Sequence, residues 1–180
     1  TASATKPKAK PGLDLSRRCK VEVGPTGDFR TIREALEAVR ASYQPLGRRD
    51  SFRISVAAGD HDERITFTAK DPEGLVIAGE LGAVLKPTGD GPVIRFEGAT
   101  RCAVEGFEVA AEGKPVAIEI VDGAMACRVS KINAHGFTKA GVLGRGASGS
   151  FGDLTAVIEH CQFVGGGGEA VGVVLEPNGG

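Results

Sequence analysis

The chain has no tryptophan, one tyrosine and one methionine in 180 residues. Aromatic residues make up 5% of it. Clefts that grip sugar rings usually stack them on Trp or Tyr, whose rigid faces suit that contact, and this chain nearly lacks the device. No apolar run approaches the roughly 18 residues of a membrane span. No apolar leader opens the sequence, and its first residue is Thr. The sequence is therefore expected to be a processed or excised segment. None of the four cysteines, Cys19, Cys102, Cys127 and Cys161, lies in a C-x-x-C pair or a zinc-spaced Cys/His cluster. Four is too few for a disulfide scaffold in a domain of this size. The last three sit in apolar stretches, which predicts small buried hydrophobes within strands. No metal site and no cofactor is expected.

Glycine is plentiful, with 27 residues, while hydrophobic residues (41%) and charged residues (25%) are in ordinary proportion. That excludes a collagen, a coiled coil and a wholly disordered chain. Residues 1–20 hold six Lys/Arg against one Asp, and the remaining 160 hold 16 basic against 22 acidic residues. Residues 1–12, TASATKPKAKPG, carry no apolar periodicity and are expected to be a flexible basic linker or tail. Residues 13–180 are expected to form one domain, part of a longer protein. With no basic patch in the folded part, nucleic acid is not an expected partner.

The segment GDFRTIREALEAVRAS carries the helical signal. Thr31-x-x-Glu34 is a capping box. Ile32, Ala35, Leu36 and Val39 form one apolar stripe. The helix is expected over 31–42, with Arg33, Glu37 and Arg40 facing solvent. Tyr43 follows at its end. Beyond Arg49, short Val/Ile/Phe runs alternate with Gly, Asp and Pro turns, which predicts many short strands.

Three of these strands repeat position by position. Val104, Val129 and Ile158 are spaced by 25 and 29 residues, as are Phe107, Ile132 and Cys161, and the polar Glu108, Asn133 and Gln162. A second series runs through Pro92-Val93 and Pro115-Val116, 23 apart, and continues at Gly141-Val142 and Ala170-Val171. Such repeats predict an all-β solenoid, a right-handed parallel β-helix of about five coils with the helix capping its start. Val104/Val129/Ile158 would form an interior ladder and Glu108/Asn133/Gln162 an outward one. An antiparallel sandwich is the rival, but it does not require repeats to keep positional character.

VGPTGDFRTIREALEAV followed by FRISVAAGDHDERITF resembles the opening of pectin-lyase-like β-helix proteins. It is most similar to that of the pectin methylesterases. In Ala58-Gly59-Asp60-His61-Asp62-Glu63-Arg64-Ile65, Glu63 matches the family's Glu and His61 replaces its Tyr. The resemblance covers about residues 21–80. It implies the β-helix fold, with an extracytoplasmic or cell-envelope setting. The esterases' Gln-Asp-Thr, G-x-V-D-F-I-F-G and Arg-before-Pro-Trp motifs are absent, as are the paired Asp motifs of polygalacturonases, so no catalytic residue is carried over.

Among candidate sites, Asp60-His61-Asp62-Glu63 has the chemistry to hold a cation, but adjacent turn residues point apart and a structural turn is expected. Glu105, Glu108, Lys131, Asn133, Glu159, His160 and Gln162 should cluster on neighbouring coils as an outward polar binding face. Glu105 and Glu159 share a register two coils apart, about 10 Å, at the outer end of glycosidase carboxylate separations. Exposed Glu is also the ordinary way to solvate a sheet face. His135 is expected to bond backbone at a coil corner. Gly144–Ser150 and Gly165–Gly168 read as loops; the first lacks a phosphate-binding pattern. The function expected is a non-catalytic interaction or scaffolding module that presents a solenoid face to a protein or polysaccharide. The alternative is a fragment of a divergent pectin esterase or polysaccharide lyase. An open last coil should either continue into further coils or meet another copy end to end.

Overall fold

A computed structural model describes residues 14–15, 18–42, 51–121, 123–146 and 156–177. The basic tail and Tyr43 lie outside these residues. The chain forms β1 (Lys20–Val23), α1 (Ile32–Ser42) and then a succession of short strands. These are β2 (Arg53–Val56), β3 (Gly59–His61), β4 (Ile65–Thr68), β5 (Val76–Gly79), β6 (Ala83–Leu85), β7 (Ile94–Glu97), β8 (Ala103–Glu105) and β9 (Glu108–Ala110). There follow β10 (Val116–Val121), β11 (Arg128–Ser130), β12 (Asn133–His135), β13 (Ala140–Gly146), β14 (Val157–Glu159), β15 (Gln162–Val164) and β16 (Val171–Pro177).

From β2 onward every third strand pairs in parallel, and β1 adds to β2, which makes three sheets wrapped around one axis. Sheet A runs β1-β2-β5-β8-β11-β14, sheet B β3-β6-β9-β12-β15 and sheet C β4-β7-β10-β13-β16. This is a parallel β-helix with five three-strand coils among the described residues. The chain progresses along the axis by one strand spacing, about 4.8 Å, per coil.

The interior is a set of stacked ladders. In sheet A, Val21, Ile54, Ile77, Val104, Val129 and Ile158 lie in one row. All are fully buried except Ile158 on the last coil. In sheet C, Phe67, Phe96 and Ile120 align, and the two rings stack at 4.5 Å with planes 5° apart. The outward Glu108/Asn133/Gln162 row is also in place.

Sheet C corrects the second repeat series. Ile94 pairs with Ile118 and Val116 with Ala140, a spacing of 24 in each case, and Ala140 pairs with Val171 at 31. The proposed Pro92-Val93/Pro115-Val116 alignment is thus one residue out, and its continuation is displaced as well. The cause is local. Ala117 and Ile118 both join the core, so the strict alternation that would mark the register is broken. Cys161 lies just before β15, outside the strands and only partly buried, and Cys102 and Cys127 also differ from expectation. They face the core, but from corner positions just before β8 and β11 rather than from within strands.

α1 spans Ile32–Ser42, and Ile32, Ala35, Leu36, Ala38 and Val39 are buried in the main core. The capping box forms: Thr31 Oγ1 accepts from the Glu34 amide at 3.1 Å, and Glu34 Oε2 accepts from the Thr31 amide at 3.3 Å. Arg40 does not simply face solvent. Its Nε and Nη2 donate to Asp71 at 2.6 and 3.0 Å, and Nη2 donates to the Thr66 carbonyl at 2.8 Å. The Asp71 side chain is fully buried.

Candidate polar face at the corner between sheets A and B

The seven candidate residues lie around one corner of the solenoid on its last three coils. Glu105, Ser130 and Glu159 form an outward row of sheet A. Glu108, Asn133 and Gln162 form the outward row of sheet B just past the corner. The corner position between them is held by Gly106, Lys131 and His160, with φ of 77°, 53° and 53°. All three are left-handed, the conformation that turns the chain sharply and that suits glycine better than Lys or His. The seven residues therefore form a band over two faces, with Lys131 and His160 on the crest.

The carboxylates of the band are already engaged. Glu105 Oε1 accepts from Arg53 Nη2 at 2.7 Å, a diagonal contact across β5 in which Glu105 is in register with Ala78 and Arg53 with Val76. Glu159 lies 3.5 Å from Arg128 Nε. His135 does not bond backbone: Nε2 lies 3.1 Å from Glu108 Oε1 and Nδ1 2.9 Å from Glu112 Oε1.

The other candidates resolve into structure. Glu63 accepts the Ile32 and Arg33 amides, both at 2.9 Å, and so holds the α1 N-terminus from outside the helix. Asp62 accepts the Thr88 amide at 2.7 Å, and His61 Nε2 lies 2.9 Å from the Ala57 carbonyl. These partners account for three of the four residues in the Asp60–Glu63 run. Among the described residues, no three His, Cys, Asp or Glu side chains are grouped to hold a metal ion. Gly144–Gly146 belongs to β13 rather than to a loop, and residues 147–150 lie outside the described ones. Gly165–Gly168 is a loop, as expected.

Two features went unforeseen. Leu81, between β5 and β6, sits on the same corner two coils before Lys131 and is fully exposed. No periodicity marks a single apolar residue in a turn. Sheet C carries an alternating ion-pair row. Arg95 lies 3.3 and 3.4 Å from Glu97 and Glu119, and Arg145 3.2 Å from both Glu119 and Glu176. Lys139 completes the row 2.7 Å from Glu176, and its hydrogen bond, with that from Arg145, lowers the Glu176 carboxyl below its ordinary range.

The cysteines are free, and Cys19 is exposed. Burial, with the nearby Asp71 charge, pushes the Cys102 thiol up to about 12. Burial pushes Cys127 up to about 11 and also raises Cys161. Such thiols hold little thiolate at neutral pH and behave as inert filling. No helix among the described residues is long and apolar enough to cross a membrane.

No family model, curated protein or solved structure matches the chain.

Proposed function

We propose that this β-helix is a non-catalytic interaction module that presents its A–B corner to a protein or polysaccharide. The observation that carries the reading is the state of the two best-placed carboxylates. Glu105 and Glu159 are each paired with an arginine, so both carboxylates are taken up in surface ion pairs rather than left unpartnered at a cleft. Around them, Leu81, Lys131, His160, Asn133 and Gln162 offer an apolar point beside mixed polar groups, repeated at the coil spacing. The mixture suits a protein surface more than a polyuronate chain, because Glu105, Glu108 and Glu159 add negative charge to the band.

α1 serves this module as the cover of its first coil. β4 is the edge of sheet C, and its Thr66 carbonyl accepts from Arg40 of the helix. The helix also lays its apolar stripe on the core, so it hides both kinds of surface that an open coil presents.

One observation supports a second reading, that of a carbohydrate-active enzyme fragment. Glu105 and Glu159 do share a register two coils apart, about 10 Å. Turnover assays on polygalacturonate and its methyl ester test the choice. The module gives no product; product formation that needs Glu105 or Glu159 would establish the enzyme.

A further inference from the structure

Among the described residues, the last coil of the solenoid leaves core side chains exposed. β14, β15 and β16 are the last strands of their sheets among the described residues. Val173 continues the ladder Ile94, Ile118, Val142, in which Val142 is 1% exposed, yet Val173 is 44% exposed. Leu175, stacked beside Gly144, is 69% exposed. Val157 and Val164 are half-exposed on the outer faces of β14 and β15. Three strand edges and an apolar core end thus face solvent together, a combination that proteins normally cover.

We propose that the occupant is a second copy of this chain, joined end to end about a two-fold axis. Head-to-tail stacking would need the first coil, which α1 covers in the reading above, so only the two open ends can meet. A two-fold axis perpendicular to the solenoid then passes through the A–B corner and the middle of sheet C. It sets β16 antiparallel to the partner's β16, and β14 antiparallel to the partner's β15.

The residues suit that operation. The segment Val157-Ile158-Glu159-His160-Cys161-Gln162-Phe163-Val164 is close to a chemical palindrome. Reversed on itself about the His160–Cys161 bond, it places Val157 against Val164, Ile158 against Phe163 and Glu159 against Gln162 of the other copy. Ile158 and Phe163 both pack on the core, so inward residues meet inward ones and no like charges oppose. β16 and β14/β15 obey the same axis: with Val174 at its centre, Val173 lies opposite Leu175, and the two exposed core residues close on each other. β14 and β15 are each three residues long, so their edges match when exchanged. The self-pairing is isologous and closes at two copies. It also brings the A–B corner bands of the two copies into one continuous surface.

The test is sedimentation velocity on the 180-residue chain from low to high micromolar concentration, with wild type beside Leu175→Lys and Val164→Lys. Wild type should sediment at twice the chain mass, and both variants at the chain mass with unchanged far-UV circular dichroism. A wild type that stays monomeric overturns the proposal, as does a dimer that survives both folded variants. The register is tested separately in a Cys19→Ser/Cys161→Ala background, since Cys161 itself lies beside the proposed axis. Val174→Cys lies on the axis opposite itself, at an antiparallel Cα separation that a disulfide can span. Oxidised glutathione should convert it to a covalent dimer, while Glu97→Cys on a distant coil stays uncrosslinked. A dimer that crosslinks equally at both positions, or only at Glu97→Cys, refutes the end-to-end arrangement. Because this test reads mass and crosslinks alone, it stands or falls apart from the choice between module and enzyme.

Discussion

Replacing Arg40 by Met should cost about 3 kcal/mol of folding stability. The Asp71 carboxylate is fully buried and accepts from Arg40 at 2.6 and 3.0 Å and from the Thr68 amide at 2.6 Å. Removing one partner of a buried ion pair typically costs about 3–5 kcal/mol, because the other charge is stranded. Arg40 keeps 27% of its side-chain exposure, so water reaches its side of the pair and the low end applies. The lost Arg40 contact to the Thr66 carbonyl adds to the effect, while the Met stem retains much of the packing. In a chain of this size the melting temperature should fall by roughly 6–12 °C. Urea denaturation followed by circular dichroism measures the cost. A companion pair, Arg40→Met with Asp71→Leu, should recover part of the loss by removing the stranded charge, but not all of it, because the Thr68 amide loses its acceptor. If Arg40→Met alone costs less than about 1 kcal/mol, the pair is an ordinary surface contact and the reasoning about α1 fails.

Four further outcomes follow from the same structure. Glu63→Ala should lower stability by about 1 kcal/mol, measured by urea titration, since two α1 amides lose their acceptor. Lys131→Gly and His160→Gly should each raise it by about 1 kcal/mol, because the left-handed corner no longer strains a side chain; a loss in both would contradict the φ assignment. With a thiol reagent, Cys19 should react at once and Cys161 slowly, while Cys102 and Cys127 should react only on unfolding. Because the folded Cys102 and Cys127 pKa values are raised, the unfolded chain releases those protons first. Stability should therefore fall as pH rises from about 9 towards 11–12, by at most about 1.4 kcal/mol per pH unit for each thiol. Cys102→Ala should flatten that alkaline slope in urea midpoints.

Much of this fold is legible in the chain because sheets A and B keep side-chain character from coil to coil. Val104/Val129/Ile158 and Glu108/Asn133/Gln162 are read correctly from spacing alone, since a parallel coil stacks each residue on its equivalent. Sheet C is harder because Ala117 and Ile118 both turn inward. Apolar residues on consecutive positions carry no register. The candidate band is legible as a set of outward residues, but its meaning is not. Whether Glu105 faces a substrate or an arginine depends on Arg53, 52 residues away in sequence, and no local pattern links them. The left-handed corner leaves one trace: Gly106 occupies the position that Lys131 and His160 hold on later coils. Arg40 was missed for the opposite reason. Its place opposite the apolar stripe says solvent, and only the approach of the Asp71 turn makes it the partner of a buried carboxylate.

A binding module leaves polysaccharide intact at its A–B corner. The most direct test is prolonged incubation of wild type and the Glu105→Gln/Glu159→Gln variant with polygalacturonate and methyl-esterified pectin. New reducing ends, unsaturated products and released methanol are followed together. No product above the no-protein control, and no difference between the two proteins, is expected. Product formed by wild type and lost in the variant would contradict the binding reading.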